Sequence, residues 1–205
     1  VGTKQGFSIV TWDVGSLNGT LSSDTGLTQA PEFVITKVLD HNDDWLTFHK
    51  ELSSTESLVI NGTRSKLSNA AYAHTFNSDG TISGLVVPNW WIANKSYVFY
   101  SWHSVPGLQK FGQYEGNTTE GAFVELGFRP AILWIKAIDQ TWYWNVHDNQ
   151  RGPINPIQGN FLRLDSNAQE NAGSGNNNID FLSNGFKIRS TTAQSEPTNV
   201  NGQTY

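Results

Sequence analysis

Two aromatic clusters contain the side chains of this sequence that are best suited to contact a ligand. Trp90 and Trp91 follow a Pro-Asn pair, and Trp142 and Tyr143 adjoin a third large ring, Trp144. Neighbouring residues of a strand point to opposite faces of a sheet, so at least one ring of an adjacent pair is expected to reach solvent. An exposed aromatic ring is a platform for a sugar ring. The candidate glycan contacts are Trp90, Trp91, Trp142 and Tyr143. The alternative for Trp90 and Trp91 is that one ring packs in the core and the other covers a sheet edge. For Trp142 the alternative is core packing, and for Tyr143 it is a surface position without function.

A second group of candidate residues is polar. Asp148 and Arg151 are three residues apart, and they either hydrogen-bond a sugar or pair with each other to fix a turn. Asp40, Asp43 and Asp44 supply oxygens that a hard cation accepts. They lack the glycine and the downstream glutamate of a dedicated calcium loop, so a solvated turn is the alternative. We predict no bound metal and no cofactor.

Residues with a catalytic spacing do not stand out in this chain. The five histidines are not spaced like metal ligands or members of a triad, and there is no Gly-x-Ser-x-Gly motif and no cysteine. A pair of glycosidase carboxylates cannot be chosen from sequence, because such residues meet only in the fold. We therefore expect a protein without enzymatic activity.

The composition favours an all-β fold. The 205 residues include 8 Trp, 11 Phe, 6 Tyr and 19 Gly, a mixture that suits half-buried sheets joined by tight turns. Apolar residues do not recur with a helical period over three turns. The net charge of −5 argues against nucleic-acid binding. No apolar run reaches the roughly 18 residues of a membrane span, so membrane insertion is not expected. We predict an antiparallel β-sandwich.

Strand candidates alternate with turn residues along the chain. In the first half they are Phe7–Trp12, Pro31–Val38, Trp45–His49, Leu58–Asn61, Tyr72–Phe76, Thr81–Val87 and Tyr97–Trp102. In the second half they are Phe111–Tyr114, Ala122–Leu126, Ala131–Ile138, Trp142–Val146, Phe161–Leu164, Ile179–Leu182 and Phe186–Ile188. The stretch from Gly15 to Gly26 is predicted to be a turn-rich connection.

An ordered series of matches indicates a tandem repeat of about 100 residues. The matches at an offset of 99 are Pro31 with Pro130, Lys37 with Lys136, Trp45 with Trp144, and His49 with Asp148. The offset grows to 104 between Asn61 and Asp165 and to 108 between Tyr97 and Tyr205. We predict one β repeat over residues 1–103 and a second over 104–205, built as two sandwich-like units or as one merged sandwich. The last strand of the second repeat begins at Tyr205 and is predicted to be incomplete. Either more chain or a neighbouring chain would complete it.

The sequence also resembles a known family. The first residues that carry the likeness are Tyr97, Ser101–Gly107, Phe111, Gly112, Tyr114, Gly116, Asn117, Gly127–Pro130 and Lys136. The others are Trp144, Asp148, Arg151, Asn155, Pro156 and Ile179–Lys187. Together they resemble a duplicated domain of uncharacterised function found in virion and tail-fibre proteins of tailed bacteriophages, notably marine phages. Members usually continue past the position of Tyr205 with an apolar strand.

This resemblance implies a component of the phage virion and no known catalytic residues. The first hypothesis is a tail-fibre module that binds a bacterial surface glycan or receptor, with its affinity multiplied in a homotrimer. The second is a structural part, a capsid decoration or fibre spacer, that binds other virion proteins. The third is a depolymerase that cleaves capsular polysaccharide.

Overall fold

The chain forms two compact units of β-structure. A computed structural model describes residues 5–15, 20–70, 73–86, 94–118, 121–152, 154–157, 160–170, 178–189 and 198–205. One unit consists of Val1–Ile60 with Lys66–Gly112, and the other of Asn61–Ser65 with Gln113–Tyr205. The described residues contain strands and no α-helix, and hence no helix of the length and apolarity that a bilayer crossing requires. All pairs of neighbouring described strands are antiparallel, which confirms the prediction of an all-β protein with antiparallel sheets.

The first unit is built on two sheets. The described strands of the larger sheet, in spatial order, are β1 (Phe7–Val14), β9 (Lys95–Trp102), β3 (Phe33–Val38), β4 (Leu46–His49), β5 (Glu56–Val59) and β6 (Leu67–Ser68). Those of the smaller sheet are β2 (Thr20–Asp24), β8 (Thr81–Val86) and β7 (Thr75–Phe76). Both sheets contribute to one core, because Ile82 of β8 is buried in the same cluster as Val34, Phe48 and Phe99 of the larger sheet.

The second unit also carries two sheets. Their described strands are β11 (Ile132–Ile135), β12 (Asn145–Asp148) and β13 (Phe161–Arg163) in one, and β10 (Phe123–Glu125), β15 (Gly185–Ile188) and β14 (Ile179–Leu182) in the other. Ile135 of the first sheet and Phe181, Phe186 and Ile188 of the second are buried in a common core. In each unit, residues of two sheets therefore contribute to one apolar core.

Three strands of each unit are paired in the same register. Phe33 lies opposite His49 on β3–β4, and the residues 99 positions later, Ile132 and Asp148, lie opposite each other on β11–β12. On the next strand, Thr47 faces Leu58, and Val146 faces Leu162, an offset of 99 on one strand and 104 on the other. These offsets equal those of the sequence matches.

The hydrogen bonds of Thr204 and Tyr205 match those of Ser96 and Tyr97 in the first unit. Tyr205 and Tyr114 exchange backbone hydrogen bonds of 2.9 and 3.0 Å, in the way that Tyr97 of β9 lies opposite Trp12 of β1. The amide of Ile138 donates to the carbonyl of Thr204 at 3.1 Å, as the amide of Leu39 does to Ser96 at 2.8 Å. Thr204 and Tyr205 therefore stand where the first residues of β9 stand in the first unit.

Several strand predictions were wrong. Strand β2 forms inside the stretch predicted to be turns, because pairing with β8 compensates for its small polar residues. The Phe111–Tyr114 segment is not a regular strand; Phe111 instead stacks on Phe33 with ring centroids 5.5 Å apart. Strand β12 begins at Asn145 and not at Trp142, because the amide of Trp142 closes a turn onto the carbonyl of Gln140.

Candidate functional site

Strand β9 carries aromatic side chains on both of its faces. Tyr97 and Phe99 point into the core of the first unit. Because side chains alternate along a strand, Tyr100 and Trp102 lie on the opposite face of the six-stranded sheet. Both are only half-buried. One strand thus supplies the core with two rings and presents two others outside it.

Tyr100 and Trp102 belong to a continuous row of rings. Trp45, at the start of β4, stacks on Tyr100 at a centroid distance of 6.3 Å. Tyr100 stacks on Trp102 at 6.4 Å, and Trp102 stacks on Phe7 of β1 at 4.8 Å. All four rings are half-buried. We call Phe7, Trp45, Tyr100 and Trp102 the ring row.

Two more aromatic side chains continue the contacts of the ring row. Phe33 of β3 lies opposite Trp102 in the register, with the two centroids 5.6 Å apart, and is itself buried. Phe111 stacks on Phe33 at an interplanar angle of 10°. Strand pairing and these contacts fix the rings in position, so little side-chain entropy would be lost when a ligand stacks on them.

A group of polar side chains lies at the start of β3, where Glu32 is hydrogen-bonded to the backbone of Trp102. Glu32, whose amide donates to the carbonyl of Trp102 at 2.7 Å, binds Lys50 at 2.9 Å and accepts hydrogen bonds from the amide and hydroxyl of Ser104. Burial raises the pKa of Glu32, but the hydrogen bonds from Lys50 and Ser104 prevail and hold it below its ordinary value. Burial lowers the pKa of His49 to about 4. A charged acceptor, a charged donor and a neutral imidazole thus lie where β3 begins and β4 ends.

The predicted aromatic candidates lie elsewhere. Trp90 and Trp91 fall outside the described residues. Trp142 is half-buried and packs against the core of the second unit. The guanidinium carbon of Arg163 lies 4.3 Å from the ring centroid of Tyr143, a cation–π contact that occupies one face of that ring.

The predicted polar candidates bind each other. Arg151 reaches Asp148 through Nε and Nη2, both at 2.5 Å, and the other oxygen of Asp148 accepts the amides of Gln150 and Arg151. Burial raises the pKa of Asp148, and the hydrogen bonds from Arg151 outweigh this effect and lower it. The two side chains therefore pair with each other across this turn.

The aspartates of the 40–44 turn are directed toward other partners. Asp40 binds Lys95 at 3.2 Å, and Asp43 accepts the amide of Asp44 at 2.8 Å. Across the described segments, no three acidic or histidine side chains are grouped in a way that could hold a metal ion.

One family covers the whole chain. A sequence profile described as "Domain of unknown function (DUF7483)" matches residues 1–205. The chain belongs to this family. No curated protein and no solved structure matches the chain significantly. The DUF7483 description names no activity, so a function for this member has to be argued from its own residues.

The sequence prediction for this DUF7483 chain missed the ring row. The signal that could have found it is the sequence Tyr-Val-Phe-Tyr-Ser-Trp at 97–102, which places aromatic residues on both faces of one strand. A strand with one buried face needs apolar side chains on that face only. Tyr100 and Trp102, on the face opposite Tyr97 and Phe99, therefore mark a second apolar face.

Proposed function

We propose that this chain is a non-catalytic module of a tailed-phage virion that binds a bacterial surface glycan on the ring row. The observation that carries the proposal is the series of four half-exposed rings with successive centroids 4.8 to 6.4 Å apart. Sugar rings have apolar faces that stack on aromatic rings and hydroxyls that need donors and acceptors. The ring row supplies the surface on which such a face can stack.

The phage assignment rests on the resemblance noted in the sequence. A shallow strip of rings on a sheet gives weak binding per site, because much of the sugar stays in water. A homotrimeric fibre, present in several copies per virion, would multiply that affinity through effective concentration. The partners are then a bacterial surface glycan and other virion proteins, and the protein resides in the virion.

We also infer that the two units are copies of one ancestral β unit, arranged as tandem sandwich repeats. The inference is supported by the equal offsets of register on β3–β4–β5 and β11–β12–β13. The Lys37 and Lys136 ammonium groups support it too, since they bind carbonyls at matched positions, 41 with 140 and 43 with 142.

A glycan array probed with the purified chain tests the proposal. Trp102→Leu keeps an apolar side chain but removes the planar ring, and we expect about 10-fold weaker binding to the best glycan, since one ring contact is worth roughly 1–1.5 kcal/mol. Trp134→Leu is the matched control, because Trp134 is an exposed Trp of the second unit and lies outside the ring row. This control should bind like the unsubstituted chain.

The same array can refute the site. Unchanged binding by both Trp102→Leu and Trp45→Leu, with both variants folded by circular dichroism, would exclude the ring row. Loss of binding in Trp90→Ala, Trp91→Ala or Tyr143→Ala alone would move the site to the residues predicted from sequence. Release of reducing ends from host polysaccharide would instead support a depolymerase.

A structural virion protein is the second candidate. It is favoured by apolar side chains exposed on the second unit, among them Ile132, Trp134 and Leu162. Light scattering discriminates between the two candidates: a stable complex with another virion protein and no binding on the array would favour the structural part.

A further inference from the structure

The described part of the chain contains three Asn-Gly pairs in which the backbone can attack a side chain. They are Asn61–Gly62, Asn184–Gly185 and Asn201–Gly202, and all three asparagines are exposed. A fourth pair, Asn18–Gly19, lies outside the described residues. The glycine amide nitrogen of such a pair can reach the side-chain amide carbon of the asparagine, because glycine has no Cβ to block the approach. The glycine amide has to turn toward that carbon, so its main-chain hydrogen bonds decide which pair reacts.

The backbone holds the pair at 201. Asn201 and Gly116 form a β-bridge, and the amide of Gly202 donates to the carbonyl of Gly116 at 3.2 Å. The nitrogen that would attack is thus engaged as a hydrogen-bond donor. Attack by Gly202 has to break this bond first, which lowers the rate.

The pair at 184 is held through the carbonyl of its asparagine. Asn184 lies in the turn between β14 and β15, and its carbonyl accepts the amides of Leu126 and Gly127 at 2.8 and 3.0 Å. That carbonyl shares a planar peptide group with the amide of Gly185, so the two rotate together. Attack by Gly185 therefore disturbs two hydrogen bonds.

The pair at 61 has no such restraint on the attacking nitrogen. Asn61 lies just after β5, and within the described segments the amide of Gly62 donates to no acceptor. The next carbonyl along the chain, that of Thr63, accepts a hydrogen bond from Nζ of Lys136 at 3.2 Å. A positive charge this near to the pair favours the deprotonated form of the attacking nitrogen.

The fold accommodates a carboxylate at the matched position of the second repeat. The repeat matches Asn61 with Asp165, and the carboxylate of Asp165 accepts the amide of Trp144 at 3.3 and 3.4 Å. Conversion of Asn61 to an aspartate would thus introduce the residue type that the second repeat already has there.

We propose that Asn61 is a site of spontaneous deamidation, with Gly62 as the nucleophile and water as the second reactant. The amide nitrogen of Gly62 loses its proton to hydroxide and attacks Cγ of Asn61, and the side-chain nitrogen takes up a proton and leaves as ammonia. Water then opens the resulting succinimide at one of its two ring C–N bonds, which leaves aspartate or isoaspartate. Each event adds a negative charge to the segment that Lys136 binds.

Peptide mapping of the aged, folded chain tests the proposal. After incubation at mildly alkaline pH, trypsin separates the three sites onto peptides 51–64, 164–187 and 190–205, and fragment-ion mass spectrometry measures the deamidated fraction at each. We expect Asn61 to react at least about 5-fold faster than Asn184 and Asn201, since each hydrogen bond that has to break raises the barrier. In urea, where these hydrogen bonds are lost, the three rates should agree within about twofold.

Variants of the chain provide the second arm. Asn61→Gln lengthens the side chain by one methylene and should abolish deamidation of peptide 51–64. Asn201→Gln is the matched control and should leave the rate at Asn61 unchanged. A rate at Asn184 or Asn201 in the folded chain that equals or exceeds the rate at Asn61 would overturn the proposal. So would an undiminished preference for Asn61 in urea, because the local sequence and not the fold would then select the site.

Discussion

A buried imidazole in the second unit takes the position of a phenyl ring in the first. His147 on β12 is fully buried, neither ring nitrogen has a hydrogen-bond partner among the described groups, and it packs against Phe161 at 5.4 Å. The equivalent residue of the first unit, 99 positions earlier, is Phe48, which is also buried. Burial, followed by the charge of Arg151, lowers the pKa of His147 to about 3. The folded chain therefore holds this side chain neutral.

Replacing His147 should change how the free energy of unfolding falls at acidic pH. Because the pKa in the folded state lies below the ordinary 6.5, the unfolded chain takes up a proton first as the pH falls. Stability is then complete above pH 6.5 and is lost toward pH 3, at about 1.4 kcal/mol per pH unit. We expect His147→Phe to remove this loss, measured by urea unfolding of the second unit between pH 7 and pH 4. His147→Gln, which cannot titrate, should flatten the same limb while leaving a buried polar group; an unchanged slope in both would contradict the assignment.

At the scale of elements, a lysine fastens the turn after the equivalent strand in each unit. Nζ of Lys37 donates to the carbonyls of residues 41 and 43 at 3.3 and 2.8 Å. Nζ of Lys136 is buried and donates to the carbonyls of Thr63, Ala137, Gln140 and Trp142 at 2.7 to 3.2 Å. Burial lowers the pKa of Lys136 to about 8, and Asp165 opposes that shift.

Removing Lys136 should lower the free energy of unfolding more than removing Lys37. Lys136→Met leaves several carbonyls unsatisfied inside the second unit, and we expect a loss of about 3 kcal/mol in the free energy of unfolding. Lys37→Met acts on a more exposed turn, where water can replace the ammonium group, and should cost less than about 1 kcal/mol. Urea titrations of both variants at pH 7 make the comparison. Similar losses would mean that the carbonyls around Lys136 find other donors.

Strand positions were largely predictable, because alternation and turn residues are local properties. Ile179–Leu182 was predicted with its observed bounds, and the apolar runs of β3 and β9 were predicted within two residues. Strand β2 was missed because its Ser-Ser-Asp sequence has no preference for a strand until β8 pairs with it. The ring row was missed because Phe7, Trp45 and Trp102 come from three strands that only the sheet order β1-β9-β3-β4 brings together.

At the scale of the whole molecule, the chain carries a net charge of −5. The four rings of the ring row are uncharged, and Glu32 pairs with Lys50, so charge contributes little to stacking on the rings. We expect the affinity for a neutral glycan to change less than about twofold between 50 and 500 mM NaCl, measured by calorimetry on the best array hit. An anionic polysaccharide should bind more weakly at low salt. A steep fall in affinity for the neutral glycan with salt would point to a charged contact and away from the rings.

Because the rings are carried by strands, the exposed row and the packing of the core depend on the same alternation of side chains. Inserting or deleting one residue in β9 would send Phe99 outward and Tyr100 into the interior, and both the apolar core and the row of outer rings would be lost together. Relatives that keep these rings must therefore keep the length of β9 constant. A connection between strands can change in length without turning a ring to the other face of the sheet.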